Sequence, residues 1–211
     1  MSNPIIIFGA SGLAAEVYSW IQDVDDIRER FLCFCVTDEY FVSGTTFYGH
    51  EVKSVSMLDD IEQFDFILAF GGEGYARASI AEILKDKGGN ALSFIHPSVV
   101  LSPFSLIGEG VIINPNCSIS PGVVIGDFSL INCNCAIGHD AKIGRYTSLL
   151  GSNTINGYVE IGERVLIGSG ATIHPKVKVA DDAIVGMGAV VFTKVRSNTT
   201  VLGNPAKRIS I

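Results

Sequence analysis

The sequence predicts a two-part architecture: a small Rossmann-like βαβ domain of the α/β class over residues 1–94, then an all-β parallel β-helix over residues 95–211, ending in a short C-terminal tail. Three observations carry this expectation. From Ile95 to Val191 every sixth residue is Ile, Leu or Val, seventeen in unbroken succession. Ahead of that run, short apolar stretches alternate with helix-forming segments and end at glycine or acidic residues. Charge divides the chain in the same place: residues 1–94 carry 15 Asp/Glu and 6 Lys/Arg, whereas residues 95–211 carry 7 and 9.

In the first part, Ile5 to Phe8 reads as a buried strand, followed by Gly9-Ala-Ser-Gly12 and an amphipathic helix from Leu13 to about Val24. A second apolar run, Phe31 to Val36, ends at Thr37-Asp38-Glu39. A third, Phe64 to Phe70, ends at Gly71-Gly72 before a helix from Tyr75 to Lys87, and Ala91 to Ile95 forms a strand leading onward. This order predicts a small parallel sheet with its glycine turns at the strand carboxyl ends, where backbone amides approach phosphate. Gly9-x-x-Gly12 lacks the full dinucleotide fingerprint, and a tight βα turn uses glycine for packing as readily as for a ligand. Asp38 is read either as a solvated loop acid or as an acceptor for a ribose or base edge. The ligand reading gains weight because Gly9-Gly12, Asp38 and Gly71-Gly72 should converge on one sheet edge.

In the second part, a period of six suits a solenoid with three flat walls, each coil taking 18 residues and stacking its aliphatic side chains inward. Seventeen positions make a little under six coils, rising by the strand spacing of ~4.8 Å. Four residues after each aliphatic position sits a small or β-branched residue, as at Val111, Cys117, Ser129, Cys135, Ala141 and Thr147, and glycine commonly follows the aliphatic residue directly. Cys117 and Cys135 fall in that small inward slot. The five cysteines, with Cys33-Phe-Cys35 and Cys133-Asn-Cys135 each separated by one residue, do not have zinc spacing and read as structural thiols.

Residues 18 apart become neighbours in such a coil, and this singles out His139. It lies two residues past the inward Ile137 and should face outward, with Gly157 directly beside it one coil later. An imidazole next to a backbone N–H that no side chain shields suits acyl transfer, which needs a base and a donor for the developing oxyanion. A second column at steps of 18, Gly151, Ser169, Met187 and Pro205, reads either as plain turn residues or as the edge of a groove for an extended ligand arm. Lys176, Lys178, Lys194, Arg196, Lys207 and Arg208 face only Asp181 and Asp182 near the end, a solvated surface or a meeting point for a ligand's phosphates. His96 and His174 follow inward residues directly, and His139 to His174 is not a whole number of coils, so no three-histidine metal site is expected.

Net charge of −7 disfavours nucleic acid as a partner, no apolar run approaches the ~20 residues of a membrane span, and the Met1-Ser-Asn-Pro start lacks a basic leader; a cytoplasmic protein is expected.

Over essentially its full length the chain resembles the NeuD/PglD family of sugar acetyltransferases. The residues that carry this are Ile7-Phe-Gly-Ala-Ser-Gly12, Asp38-Glu39, Gly71-Gly72, Ile137-Gly-His-Asp140 and Gly203-Asn-Pro-Ala-Lys207. The resemblance implies a left-handed β-helix, a homotrimer with acetyl-CoA between adjacent solenoids, and a nucleotide sugar held by the N-terminal domain. It further implies that His139 is the general base, oriented by Asp140, that the Gly157 amide holds the thioester oxygen, and that Gly9, Ser11, Gly12 and Asp38 hold the nucleotide. Leu13 and Ser148 depart from the family, where many and some members, respectively, carry histidine; both departures bear on sugar recognition. The resulting expectation is direct, acetyl-CoA-dependent N-acetylation of an amino sugar on a UDP, GDP or dTDP carrier, for bacterial surface-glycan synthesis. Its rivals are O-acetylation of sialic acid and a non-catalytic sugar-nucleotide-binding scaffold.

Overall fold

A computed structural model describes residues 2–71 and 74–209, so Gly72 lies outside the described residues. The chain forms two compact units, Met1–His96 and Pro97–Ile211. In the first, strands β1 (Ile5–Phe8), β2 (Phe31–Val36), β3 (Thr46–Phe47), β4 (His50–Ser54), β5 (Phe64–Leu68) and β6 (Gly89–Ala91) form one sheet in the order β3-β4-β2-β1-β5-β6. Every pairing is parallel except β3 with β4. Helices α1 (Gly12–Ile21), α2 (Asp25–Arg30) and α3 (Gly74–Asp86) complete the unit. Because β1 is buried along its whole length, its IIIF run is apolar without alternation, as a central parallel strand requires.

The order places β1 between β2 and β5, so the chain leaves β1 in one direction and later returns to its other side. That reversal opens a crevice at the carboxyl ends of the strands. Gly9 makes the turn there with φ +125°, and any side chain on it would fall onto the Ala69 carbonyl oxygen. Gly9 is thus required by packing whether or not a ligand approaches it.

The predicted helix from Leu13 to Val24 stops at Ile21, and the polar segment Asp25–Arg30 forms a separate helix that hydrophobic periodicity did not register. The hairpin β3–β4 was likewise missed. It turns through Tyr48 and Gly49, both with positive φ, in the two-residue geometry that suits antiparallel strands. The strand expected from Ala91 to Ile95 is instead two pieces, Gly89–Ala91 and Phe94–Ile95.

The second unit is a left-handed parallel β-helix with two-residue strands on three walls. Register is uniform at 18 residues: Leu101, Ile119, Ile137, Ile155, Ile173 and Val191 pair in succession on one wall, and Ile107, Ile125, Ile143, Ile161 and Val179 on another. From the second coil onward these inward side chains are buried almost completely, Ile137, Ile155 and Ile173 at 1%, 1% and 0% exposure. Each such side chain contributes about 1.5–3 kcal/mol of burial.

The three-walled section depends on the corners. Fourteen successive corners, from Gly110 to Gly188, put the third residue after the inward one in the left-handed region, including Asn134, Asp140, Tyr158 and Lys176. Its N–H reaches back to the preceding coil, as from Asp140 to the Pro121 carbonyl at 3.0 Å. Polar residues in the small inward slot are satisfied by the neighbouring coil: Ser129 Oγ donates to the Gly144 carbonyl at 2.9 Å and Thr147 Oγ1 to that of Gly162 at 2.7 Å. Cys117 and Cys135 fill the same slot at 1% exposure each, as their spacing predicted.

No helix among the described residues is long and apolar enough to cross a membrane.

Burial pushes the thiols of Cys33 and Cys35 up from 9.0 to about 11 and about 12. The fold therefore favours the neutral thiols, and their stabilisation is complete below the unfolded value and lost as pH rises through 11 to 12. Equilibrium denaturation should accordingly show stability falling above pH ~9, and a Cys33→Ala/Cys35→Ala variant should show a shallower alkaline slope than the wild type.

Candidate active site

His139 and Asp140 are consecutive residues of one corner. The inward direction of Ile137 and the left-handed backbone of Asp140 (φ 59°) turn both side chains outward, where they are 59% and 48% exposed. His139 Nδ1 and Asp140 Oδ2 are 3.0 Å apart. With the carboxylate accepting from Nδ1–H, the other ring nitrogen, Nε2, carries the lone pair of the neutral imidazole. An ion pair this open to water contributes only ~0–1 kcal/mol, so the contact matters for tautomer and orientation more than for stability. Gly122, one coil before Asp140, leaves the room for it: a Cβ there would stand 2.5 Å from Asp140 Oδ1.

One coil after His139, the backbone of Gly157 lies against the ring. A Cβ on Gly157 would fall 2.7 Å from Nε2, 2.8 Å from Cε1 and 3.2 Å from Cδ2 of His139, so no other residue fits without displacing the imidazole. The Gly157 N–H is itself available. At equivalent corner positions the N–H of Glu109 and of Glu163 is taken by the carboxylate one coil further on, Asp127 at 3.0 Å and Asp181 at 2.9 Å. The residue one coil beyond Gly157 is Pro175, which has no side-chain acceptor. The His139 ring thus lies against the Gly157 backbone, the two residues being one 18-residue coil apart. Sequence reasoning missed Tyr158, whose ring stands perpendicular to the imidazole with centroids 5.0 Å apart.

The second predicted column is present as far as Met187: the Gly170 N–H donates to the Gly151 carbonyl and the Gly188 N–H to that of Ser169, both at 2.9 Å. Pro205 is not its next step. Val185 pairs with Val201 and Val179 with Val195, so the last coil has sixteen residues, and Gly203 takes the place assigned to Pro205. The aliphatic repeat ends at Val191, and nothing beyond it maintains the longer period. Lys207 lies in the strand Lys207–Ile209, paired antiparallel with Thr200–Leu202. A recess of about 240 Å³ in this last coil is lined by Thr193, Lys194, Arg196, Thr199 and Arg208 among others, and Lys207 is not part of it.

In the N-terminal unit a cavity of about 450 Å³ opens at the crevice beside β1, with Gly9, Ser11, Thr37, Tyr40, Thr45 and Phe70 in its wall. Ser11 precedes α1, whose first turn has neither a side-chain cap nor an acidic residue, leaving amide donors there. Asp38 is outside the lining. Its Oδ1 accepts from the Ser56 N–H at 3.1 Å and from Ser56 Oγ at 2.8 Å, and the Ser56 backbone bond is the chief cause holding the carboxyl below its ordinary range. Gly12 and Gly71 are also outside the lining, and a Cβ at either meets nothing within 4 Å. Thr37, Tyr40, Thr45 and Phe70 were not anticipated, because their approach depends on how the loops after β2 and β5 fold over the strand ends.

The geometry makes Gly157→Ala informative. The added methyl should swing the imidazole out of its contact with Asp140, visible as a changed His139 side chain in a crystal structure, with secondary structure unaltered by circular dichroism.

The family description "Bacterial transferase hexapeptide (six repeats)" matches residues 93–127 and 158–193. Comparison with curated protein sequences gives no match. Among solved structures, WeeI from Acinetobacter baumannii is 29% identical with TM-score 0.90, covering 98% of this chain and 99% of its own. A mutant of perosamine N-acetyltransferase from Caulobacter crescentus, in complex with CoA and GDP-perosamine, is 26% identical with TM-score 0.89, over 99% and 97% of the two chains. The acetyltransferase domain of PglB from Neisseria gonorrhoeae, in complex with acetyl coenzyme A, shares the fold at 24% identity and TM-score 0.88, over 99% and 100%. With hexapeptide repeats in a left-handed solenoid, an N-terminal sheet domain and full-length likeness to these proteins, the chain is similar to sugar acetyltransferases of the NeuD/PglD type.

Proposed function

We propose that this protein N-acetylates an amino sugar carried on a nucleoside diphosphate, using acetyl-CoA, in the cytoplasm and for surface-glycan synthesis. The observation that carries the reading is the His139 imidazole, tied through Nδ1 to Asp140, with its ring against the side-chain-free backbone of Gly157. The perosamine N-acetyltransferase structure, which contains CoA and GDP-perosamine, supports the choice of donor and acceptor class.

In this reading the neutral sugar amine attacks the thioester carbonyl, and the oxygen gathers charge against the Gly157 N–H. His139 Nε2 takes a proton from the attacking nitrogen, and Asp140 stabilises the imidazolium. Collapse forms the amide and expels the CoA thiolate, which is protonated by the imidazolium; no acyl-enzyme forms. Ser169 and Met187 would edge the pantetheine path, with the basic recess of Lys194, Arg196 and Arg208 near the phosphates, and Pro205 and Lys207 adjoining the last coil. The nucleotide would occupy the cavity walled by Gly9 and Ser11, with Tyr40 and Phe70 offering aromatic surface. Gly12, Gly71 and Asp38 would act from its rim.

A homotrimer is part of the proposal. On one wall the outward Leu166 and Ile184, next to the outward Ser148, are 37% and 41% exposed, whereas another wall presents Lys142, Glu160 and Lys178. Exposed apolar side chains such as these suit burial against another copy. Light scattering at micromolar concentration should give three times the monomer mass, and Leu166→Glu/Ile184→Glu should yield monomers; a fully active wild-type monomer contradicts this.

Transfer itself is tested with acetyl-CoA and UDP-, GDP- and dTDP-linked 4-amino sugars, with free sialic acid in parallel. His139→Ala should lose ~10²–10⁴-fold in kcat, with little change in thermal stability because the side chain faces away from the core. Asp140→Asn should lose less. Transfer to sialic acid alone would establish the O-acetyl alternative, and nucleotide binding without CoA release would establish the scaffold.

A further inference from the structure

The base and the carboxylate that holds its Nδ1 are both open to water. A hydrogen-bonded pair this exposed leaves the imidazole several accessible orientations, so Asp140 alone does not keep Nε2 turned toward Gly157. A second restraint is present on the next coil. Tyr158 sits at the same corner as Asp140, 18 residues on, and its ring meets the imidazole at 5.0 Å with the planes at 89°. Its backbone N–H donates to the His139 carbonyl at 3.0 Å. One residue therefore fastens the backbone of the base and touches its ring.

Core packing does not account for this tyrosine. Its side chain is half exposed and borders an open recess with Glu160, Lys176 and Lys178. The aromatic residues at two other left-handed corners, Phe128 and Tyr146, stack on each other with planes at 3°. The ring that Tyr158 contacts is instead the imidazole. We propose that Tyr158 is a positioning residue, holding the imidazole plane so that Nε2 stays directed at the space shared with the Gly157 amide. The proposal rests on the acetyl-transfer reading for its kinetic consequence, but its geometric content stands apart from that reading.

Two measurements on the intact protein test it. In long-range ¹H–¹⁵N spectra, the His139 signals, assigned by their loss in His139→Ala, should show an Nδ1–H tautomer in the wild type and an averaged pattern in Tyr158→Leu. Tyr158→Phe should retain the wild-type pattern. In the acetyl-transfer assay, Tyr158→Leu should lower kcat about tenfold with the Michaelis constant for acetyl-CoA nearly unchanged, Phe should restore the rate, and Tyr158→Leu should cost nothing further in a His139→Ala background. A Tyr158→Leu imidazole spectrum identical to the wild type overturns the proposal whatever the rates, and so does an equal loss in the His139→Ala background. If the wild type shows no His139-dependent transfer, the functional reading fails while the spectra still decide the role of Tyr158.

Discussion

Coil-on-coil registry at 18 residues is the constraint from which the rest of the solenoid follows. Parallel pairing between successive two-residue strands carries inward Ile, Leu and Val onto one another, and it also carries every outward residue onto a partner 18 positions away. His139 and Gly157 meet for the same reason that Ile137 and Ile155 do. The site is therefore a consequence of core packing rather than of a specialised loop. Its precision is inherited from the rigidity of a close-packed interior.

That inheritance explains how much the small residues matter here. A Cβ on Gly138 would stand 2.7 Å from the Gly157 nitrogen, one on Gly157 would meet the imidazole, and one on Gly122 would meet Asp140. Three glycines on successive coils thus clear the space in which an imidazole, a carboxylate and an amide can be adjacent. Tyr158 closes another side of it. Exposed polar contacts gain orientation only when such steric boundaries limit the alternatives.

The N-terminal unit uses a different device. Its crevice arises where the strand order reverses around β1, and the cavity wall there is mostly apolar and aromatic with a few hydroxyls, from Ser11, Thr37, Tyr40 and Thr45. Gly9 serves the turn in any case, because its backbone passes against Ala69. A glycine demanded by packing can also admit a ligand, which is why the GxxG signature alone has little power to separate the two.

The solenoid, its 18-residue coil, the inward cysteines and the His139–Gly157 juxtaposition were all legible in the sequence by itself, because a one-dimensional repeat turns sequence separation directly into spatial proximity. The same reasoning misplaced Pro205, since the aliphatic repeat stops at Val191 and the final coil closes with sixteen residues. In the N-terminal unit no repeat relates distant residues. That Asp38 turns to Ser56 while Tyr40 and Phe70 wall the cavity was decided by long-range pairing of β2 with β4 and of β1 with β5. The contact of Tyr158 with the imidazole was decided likewise by the tertiary structure. Spacing brings the two residues to adjacent coils, but only the left-handed corner backbone and the side-chain rotamers set one ring against the other.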